Sequence, residues 1–296
     1  MHHPPSSAGA RGRHAFPALL AANLFLAFGP WAVRLADVGP VAAGFWRLTL
    51  AVPLLLLIVR MSGDRMTVPP RMALVLAVAG LFFAADLGAW HYGIVRTKLA
   101  NATLFGNFAS FVFVIYGFVI ARALPRRVQL IAFLLAAVGT VLLLGNSYEL
   151  SPEHLEGDLF SILAGLFYFG YLVCVDQARR TLAPMPLLTL VTIAGAPPLL
   201  LFALMLGEPV LPTNWTPLIL LSLGSQVIGQ GLLVYSIGHL SPLVVGLGLL
   251  TQPAVTALIG WIAYDERLTL TDGVGAVMIC AALVLIRLPA RSPDGA

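Results

Sequence analysis

Ten apolar stretches, each close to the roughly 20 residues that a helix needs to cross a hydrocarbon core, constrain this chain more than any other feature. They run approximately over 16–36, 40–60, 71–95, 99–121, 127–145, 157–178, 184–206, 215–237, 240–264 and 269–288. Lipid offers no water to backbone N–H and C=O groups, so such a segment closes its hydrogen bonds on itself as a helix. Turn chemistry separates the stretches: Asp37 to Pro40, Pro69-Pro70, Pro125, Ser151-Pro152, Pro184 to Pro186, Glu208-Pro209 and Ser241-Pro242. The runs 71–121 and 215–264 are each long enough for two crossings, and Arg96 with Lys98 marks the break in the first. The expected fold is an all-α polytopic membrane protein with ten transmembrane helices.

Charge is scarce and unevenly placed. Only 10% of the 296 residues are charged, against about 25% in a soluble globular domain. Apolar sequence extends from Phe16 to Leu288 and leaves no room for a soluble domain. Residues 1–14 are polar and aperiodic, which predicts a disordered tail in which His2 and His3 are not metal ligands. A second short tail covers 289–296. The first apolar run is too long for a signal-peptide core and no A-x-A site follows it, so it is expected to remain as a membrane anchor. Cys174 and Cys280 lie inside apolar runs and read as small core residues. No metal or other cofactor is expected.

With the amino terminus inside, twelve basic residues fall in loops on the inner side: Arg11, Arg13, Arg60, Arg65, Arg71, Arg122, Arg126, Arg127, Arg179, Arg180, Arg287 and Arg291. Arg96, Lys98 and Arg267 fall outside, and Arg34 and Arg47 lie within spans. Acids collect on the outer side, at Asp37, Glu149, Glu153, Glu156, Asp158, Glu208, Asp265, Glu266 and Asp272. The positive-inside rule then places both termini in the cytoplasm, with the chain in a bacterial inner membrane. The same placement accounts for the net charge of +4 without a nucleic-acid partner.

The halves of the chain repeat. A constant offset of 143 across the last three spans sets Tyr92 on Tyr235, Ile94 on Ile237, Gly117 on Gly260 and Val141 on Val284. An offset of 142 pairs Leu24-Phe25 with Leu166-Phe167 in the first span. The expected units are a repeat over 15–145, an extracytoplasmic linker over 146–156 and a second repeat over 157–288. Five is odd, so the two repeats insert with opposite orientation. The charges agree, because Arg122, Arg126 and Arg127 give way to Asp265 and Glu266 in the second half. Inverted repeats around a midplane site are the usual plan of secondary transporters.

Pro40 followed by Phe45-Trp46-Arg47, then Tyr92, Tyr235, Pro242, Pro253, Gly260, Glu266 and Gly275, make the chain resemble the EamA-type members of the drug/metabolite transporter superfamily. The resemblance covers about 15–288. Three positions depart from it: Ala123 stands where the second repeat has Glu266, Ser110 where it has Pro253, and Ala282 where the first repeat has Gly139. These departures put equivalent motions of the two halves in doubt. Within the family, the aromatic-rich first half and the absence of basic residues in spans four and nine look most like the exporters of aromatic and other neutral amino acids.

Polar side chains in the spans mark the candidate site. Asp86 lies nine residues from Val95, about 14 Å along the axis, and Arg47 about 10 Å below its own helix end. A carboxylate at such depth costs roughly 2.5–3.5 kcal/mol to insert, so Asp86 faces either a wet cavity or a cation. It serves as a proton site or substrate-amine anchor on one reading, and as half of a structural pair with Arg47 on the other. Arg47 reads as structural or coupling. Three consecutive residues, Trp90-His91-Tyr92, cannot all face lipid on one helix, so at least one points inward; His91 reads as a hydrogen-bonded neutral histidine before a proton carrier. Asn101, Phe105 and Asn107 follow on span four, where Ala102, Gly106 and Ser110 form a small-residue packing face. Gln226 and Gln230 lie one turn apart and, with Gln252, Asn23, Tyr168 and Tyr171, complete the expected wall.

Rings and amides around one carboxylate suit a zwitterion with an apolar side chain. The partners expected are therefore an amino acid or similar small amphipathic solute, the lipid bilayer and, as a candidate coupling ion, the proton, with the protein a monomer or weak dimer. Spans four, eight and nine contain no Lys or Arg to clamp a phosphate. An exporter of cationic drugs or other metabolites is the nearest alternative. An intramembrane enzyme is more distant, because His91 and His239 are isolated and no H-E-x-x-H or G-x-G-D appears.

Overall fold

The computed structural model describes residues 14–122, 124–145, 152–264 and 269–287. The two tails, most of the linker, Ala123, and Asp265, Glu266, Arg267 and Leu268 lie outside the described residues. Those described form helices and turns, without strands. Among the described residues, eight helices are long and apolar enough to cross a membrane, and two shorter apolar ones, Arg127–Leu143 and Leu270–Ile286, complete ten. They are α1 (Ala15–Leu35), α2 (Pro40–Ser62), α3 (Pro70–Ile94), α4 (Leu99–Gly106 and Phe108–Ala121) and α5 (Arg127–Gly145). The second half contains α6 (Leu155–Ala178), α7 (Pro184–Met205), α8 (Thr216–Ile237), α9 (Pro242–Leu249 and Gln252–Tyr264) and α10 (Leu270–Arg287).

Local chemistry sets the ends. Pro40, Pro184 and Pro242 each occupy the first turn of a helix behind an extended cap residue, where a missing N–H costs nothing. Gly63 and Gly207 end α2 and the α7 turn at φ 69 and φ 66, a conformation that a Cβ disfavours. The free amides of Val41 and Ala42 donate to the Glu208 carboxylate at 3.3 and 2.8 Å. An acid from the α7–α8 loop thus caps α2, where the helix dipole favours it.

Packing is two-fold in pattern. α3 lies against α6 as α8 lies against α1, α7 against α3 as α2 against α8, and α4 against α6 as α9 against α1. The pairs α2–α7, α4–α9 and α5–α10 map onto themselves under the same exchange. Five helices per half make the repeats inverted, so the architecture is two inverted five-helix repeats. α1, α2, α3, α6, α7 and α8 share the largest apolar core. α4, α5, α9 and α10 build a second around Val114, Ala132, Ala136, Leu247 and Ala282. Leu57, Leu81, Val119, Leu134, Val141, Leu201, Val277 and Val284 face outward, as a lipid-covered surface requires.

Several spans are not uniform. α1 is interrupted at Phe28, and α8 runs as a π-helix over Leu221–Gln230. α4 breaks at Asn107 and α9 at Leu250-Thr251, which are equivalent positions under the offset of 143.

Candidate functional site

A cavity of about 100 Å³ lies between the halves, bounded by α1, α2, α3, α4, α6, α8 and α9. One water needs roughly 10–15 Å³ on the same measure, so the space suits a small solute. Its deepest wall residues, Ser110, Tyr168, Gln230 and Leu249, sit near the helix midpoints. The others, from Pro30 and Trp90 to Thr103 and Thr256, lie toward the bundle end that carries Asp37, Glu156 and Glu208. The end carrying Arg60, Arg122 and Arg179 is packed shut. A Cβ on Gly246 would stand 2.6 Å from Val114 Cγ2 and 2.8 Å from the Ser110 carbonyl, and one on Gly117 3.2 Å from Pro242 Cβ.

Of the residues expected at the site, Asp86, Trp90, Asn107, Tyr168, Gln230 and Gln252 line the cavity, and so does Arg47. Arg47 is 5% exposed. Its Nε donates to Gln226 Oε1 at 3.2 Å, and its guanidinium carbon lies 5.7 Å from the Phe83 ring centroid. Gln226 stands behind it, fully buried, and donates through Nε2 to Thr192 Oγ1 at 2.9 Å. The glutamine expected in the wall thus acts one layer back, and Gln230 alone of the two lines the cavity. Tyr171, also fully buried, donates to Gln230 Oε1 at 3.1 Å and stacks on Phe83 at 4.6 Å. Among the described residues Arg47 and Asp86 form no ion pair within 4.0 Å.

The remaining expected residues do not line the cavity, and each has a structural partner distant in sequence. His91 is fully buried and donates from Nδ1 to the Pro40 carbonyl at 2.7 Å, joining α3 to the start of α2. Tyr92 lies at the acidic end, donating to Glu156 Oε1 at 3.0 Å beneath the Arg96 guanidinium. Asn101 donates to both Asp158 oxygens, at 3.1 and 3.3 Å. Asn23 donates to the Gly248 carbonyl at 2.7 Å and to Thr251 Oγ1 at 3.0 Å, holding the break in α9 to α1. Phe105 presents its carbonyl to the space that a Cβ on Gly165 would occupy. Gly106 and Ser110, expected as packing surface, face the cavity as well. Gly29, Pro30, Phe83, Thr103 and Thr256 also line it, and no polar or periodic signal distinguishes them in the sequence.

The family described as the EamA-like transporter family matches residues 15–145 and again residues 155–288. No curated protein matches the chain. One solved structure, described only as the crystal structure of a protein, superposes with a TM-score of 0.72 at 21% identity, over 97% of this chain and 99% of the other. At that identity the likeness speaks for the fold.

Proposed function

The chain belongs to the EamA-like transporter family, and on that premise we propose that it is a secondary transporter. It exports amino acids, aromatic and other neutral or hydrophobic ones, from the cytoplasm by alternating access through the cavity between its repeats. Absence of enzymatic activity is part of the same proposal. So is residence in a bacterial inner membrane with both termini cytoplasmic, which the distribution of basic residues supports.

One observation carries the reading: a single cavity between inverted repeats combines rings (Phe83, Trp90, Tyr168), amides (Asn107, Gln230, Gln252), a guanidinium and a carboxylate. Rings and amides match an apolar side chain beside a polar backbone, and the charges match a zwitterion. A cationic-drug exporter has less use for Arg47 in the wall, since like charges repel in a poorly screened site. The test is counterflow in liposomes containing the purified protein. Labelled phenylalanine or methionine is expected to exchange and a quaternary ammonium dye neither to exchange nor to compete. Exchange of the dye without either amino acid would replace this reading by the drug-export one.

A further inference from the structure

We infer that Arg47 and Asp86 bind the two charged groups of one zwitterionic solute, its carboxylate against the guanidinium edge and its ammonium against the Asp86 carboxylate. The inference rests on the transport reading above and names what the site recognises.

Both side chains border the cavity, and both lack a protein partner where a ligand would bind. The one described hydrogen bond of the Arg47 guanidinium uses Nε, so its two terminal nitrogens remain for a ligand. Asp86 has no described hydrogen bond or ion pair, and the two residues do not approach within 4.0 Å. Opposite charges this poorly solvated attract strongly, and a structural pair would be expected to close. Gln226 holds Arg47 back instead, fixed in turn by Thr192 on α7.

The two charges share one part of the cavity. The guanidinium lies over Phe83, and Asp86 follows three residues later on the same side of α3, about 4.5 Å along its axis. Guanidinium and carboxylate therefore border the same space without closing on each other within 4.0 Å. A carboxylate meets guanidinium nitrogens in the strong two-point geometry that an amide or hydroxyl cannot copy. A group missing from the solute would leave one buried charge unpaired, which makes the site discriminate against it. Trp90, one turn beyond Asp86, offers its ring to the solute's side chain.

The experiment measures competition against labelled phenylalanine by 2-phenylethylamine, which lacks the carboxylate, and by 3-phenylpropionate, which lacks the ammonium. In the unmodified protein both analogues should bind at least about tenfold more weakly than phenylalanine. In Asp86→Asn, phenylalanine should lose its advantage over 3-phenylpropionate while keeping that over 2-phenylethylamine. Arg47→Gln should show the mirror image, and Arg47→Lys should restore part of the preference for a carboxylate. Equal binding of phenylalanine and either analogue by the unmodified protein overturns the inference, and this comparison requires no variant to fold. Wild-type ranking in both variants overturns it too, while leaving amino-acid transport standing. Failure of phenylalanine and methionine to bind, with the quaternary dye bound, removes the transport reading and this inference with it.

Discussion

Asp158 accepts hydrogen bonds from Thr97 Oγ1 at 2.6 Å and from Asn101 Nδ2, whereas Asp86 borders the cavity without a protein partner. Removing each acid should therefore have opposite consequences. Asp158→Ala removes the acceptor of the buried Thr97 hydroxyl and of Asn101 Nδ2, which costs about 1–3 kcal/mol. Asp86→Asn breaks no described hydrogen bond and relieves a charge of its desolvation, so stability should stay within about 1 kcal/mol of the parent. Thermal unfolding in detergent measures both. A loss for Asp86→Asn that matches the loss for Asp158→Ala would restore the structural pairing of Asp86 with Arg47. The sequence shows which side chains are costly to bury, and Asp86, Trp90, Asn107, Tyr168, Gln230 and Gln252 were visible on that ground. It does not show who satisfies them. His91, Tyr92 and Asn101 look the same in sequence as ligand-binding residues, because Pro40, Glu156 and Asp158 lie more than fifty positions away.

The helices themselves were legible because each hydrocarbon crossing demands its own apolar run, and the prolines and loop charges punctuate the runs. Their interruptions were legible in one half only. Pro253 has no N–H to bond the Leu249 carbonyl, which marks the break of α9 at Leu250-Thr251, whereas Gly106-Asn107-Phe108 has Ser110 in the place of that proline, yet α4 breaks at the equivalent position. The break in α9 is also held from outside, by Asn23 on α1. α5 and α10 present the opposite case, two helices whose packing is nearly all they contribute. A Cβ on Gly139 would stand 2.7 Å from the Gly275 carbonyl, and one on Gly275 2.5 Å from the Gly139 carbonyl. Neither helix supplies a residue to the cavity wall. Gly139→Val should therefore force the pair apart at about 1–3 kcal/mol or more and lower the yield of folded protein in size-exclusion chromatography. Phenylalanine affinity of the remaining folded molecules should be unchanged. A changed affinity would mean that the α5–α10 pair shapes the site.

For the molecule as a whole, the proposed transport requires a second arrangement besides the one seen. Between α4 and α9 the basic end is closed through Gly246 on Val114 and Gly117 on Pro242. Under the offset of 143, Gly246 and Val114 correspond to Thr103 and Ala257, and Thr103 lines the cavity toward the acidic end. Exchanging the conformations of the halves would close the acidic end and open the basic one, delivering the cavity to the other side of the membrane. Two cysteine experiments test this in a chain with Cys174 and Cys280 replaced. Thr256→Cys should react with a membrane-impermeant thiol reagent added outside intact cells; labelling from the cytoplasmic side alone would reverse the proposed orientation. Gly117→Cys with Pro242→Cys places two Cβ atoms about 3.2 Å apart, close to the roughly 3.5–4.5 Å of a disulfide. Oxidation of that pair should hold the basic end shut, abolish phenylalanine counterflow and leave phenylalanine binding from outside intact, with a reductant restoring transport. If the oxidised protein exchanges phenylalanine at the parent rate, the two ends need not alternate, and the inverted repeats would have to be explained by something other than transport through this cavity.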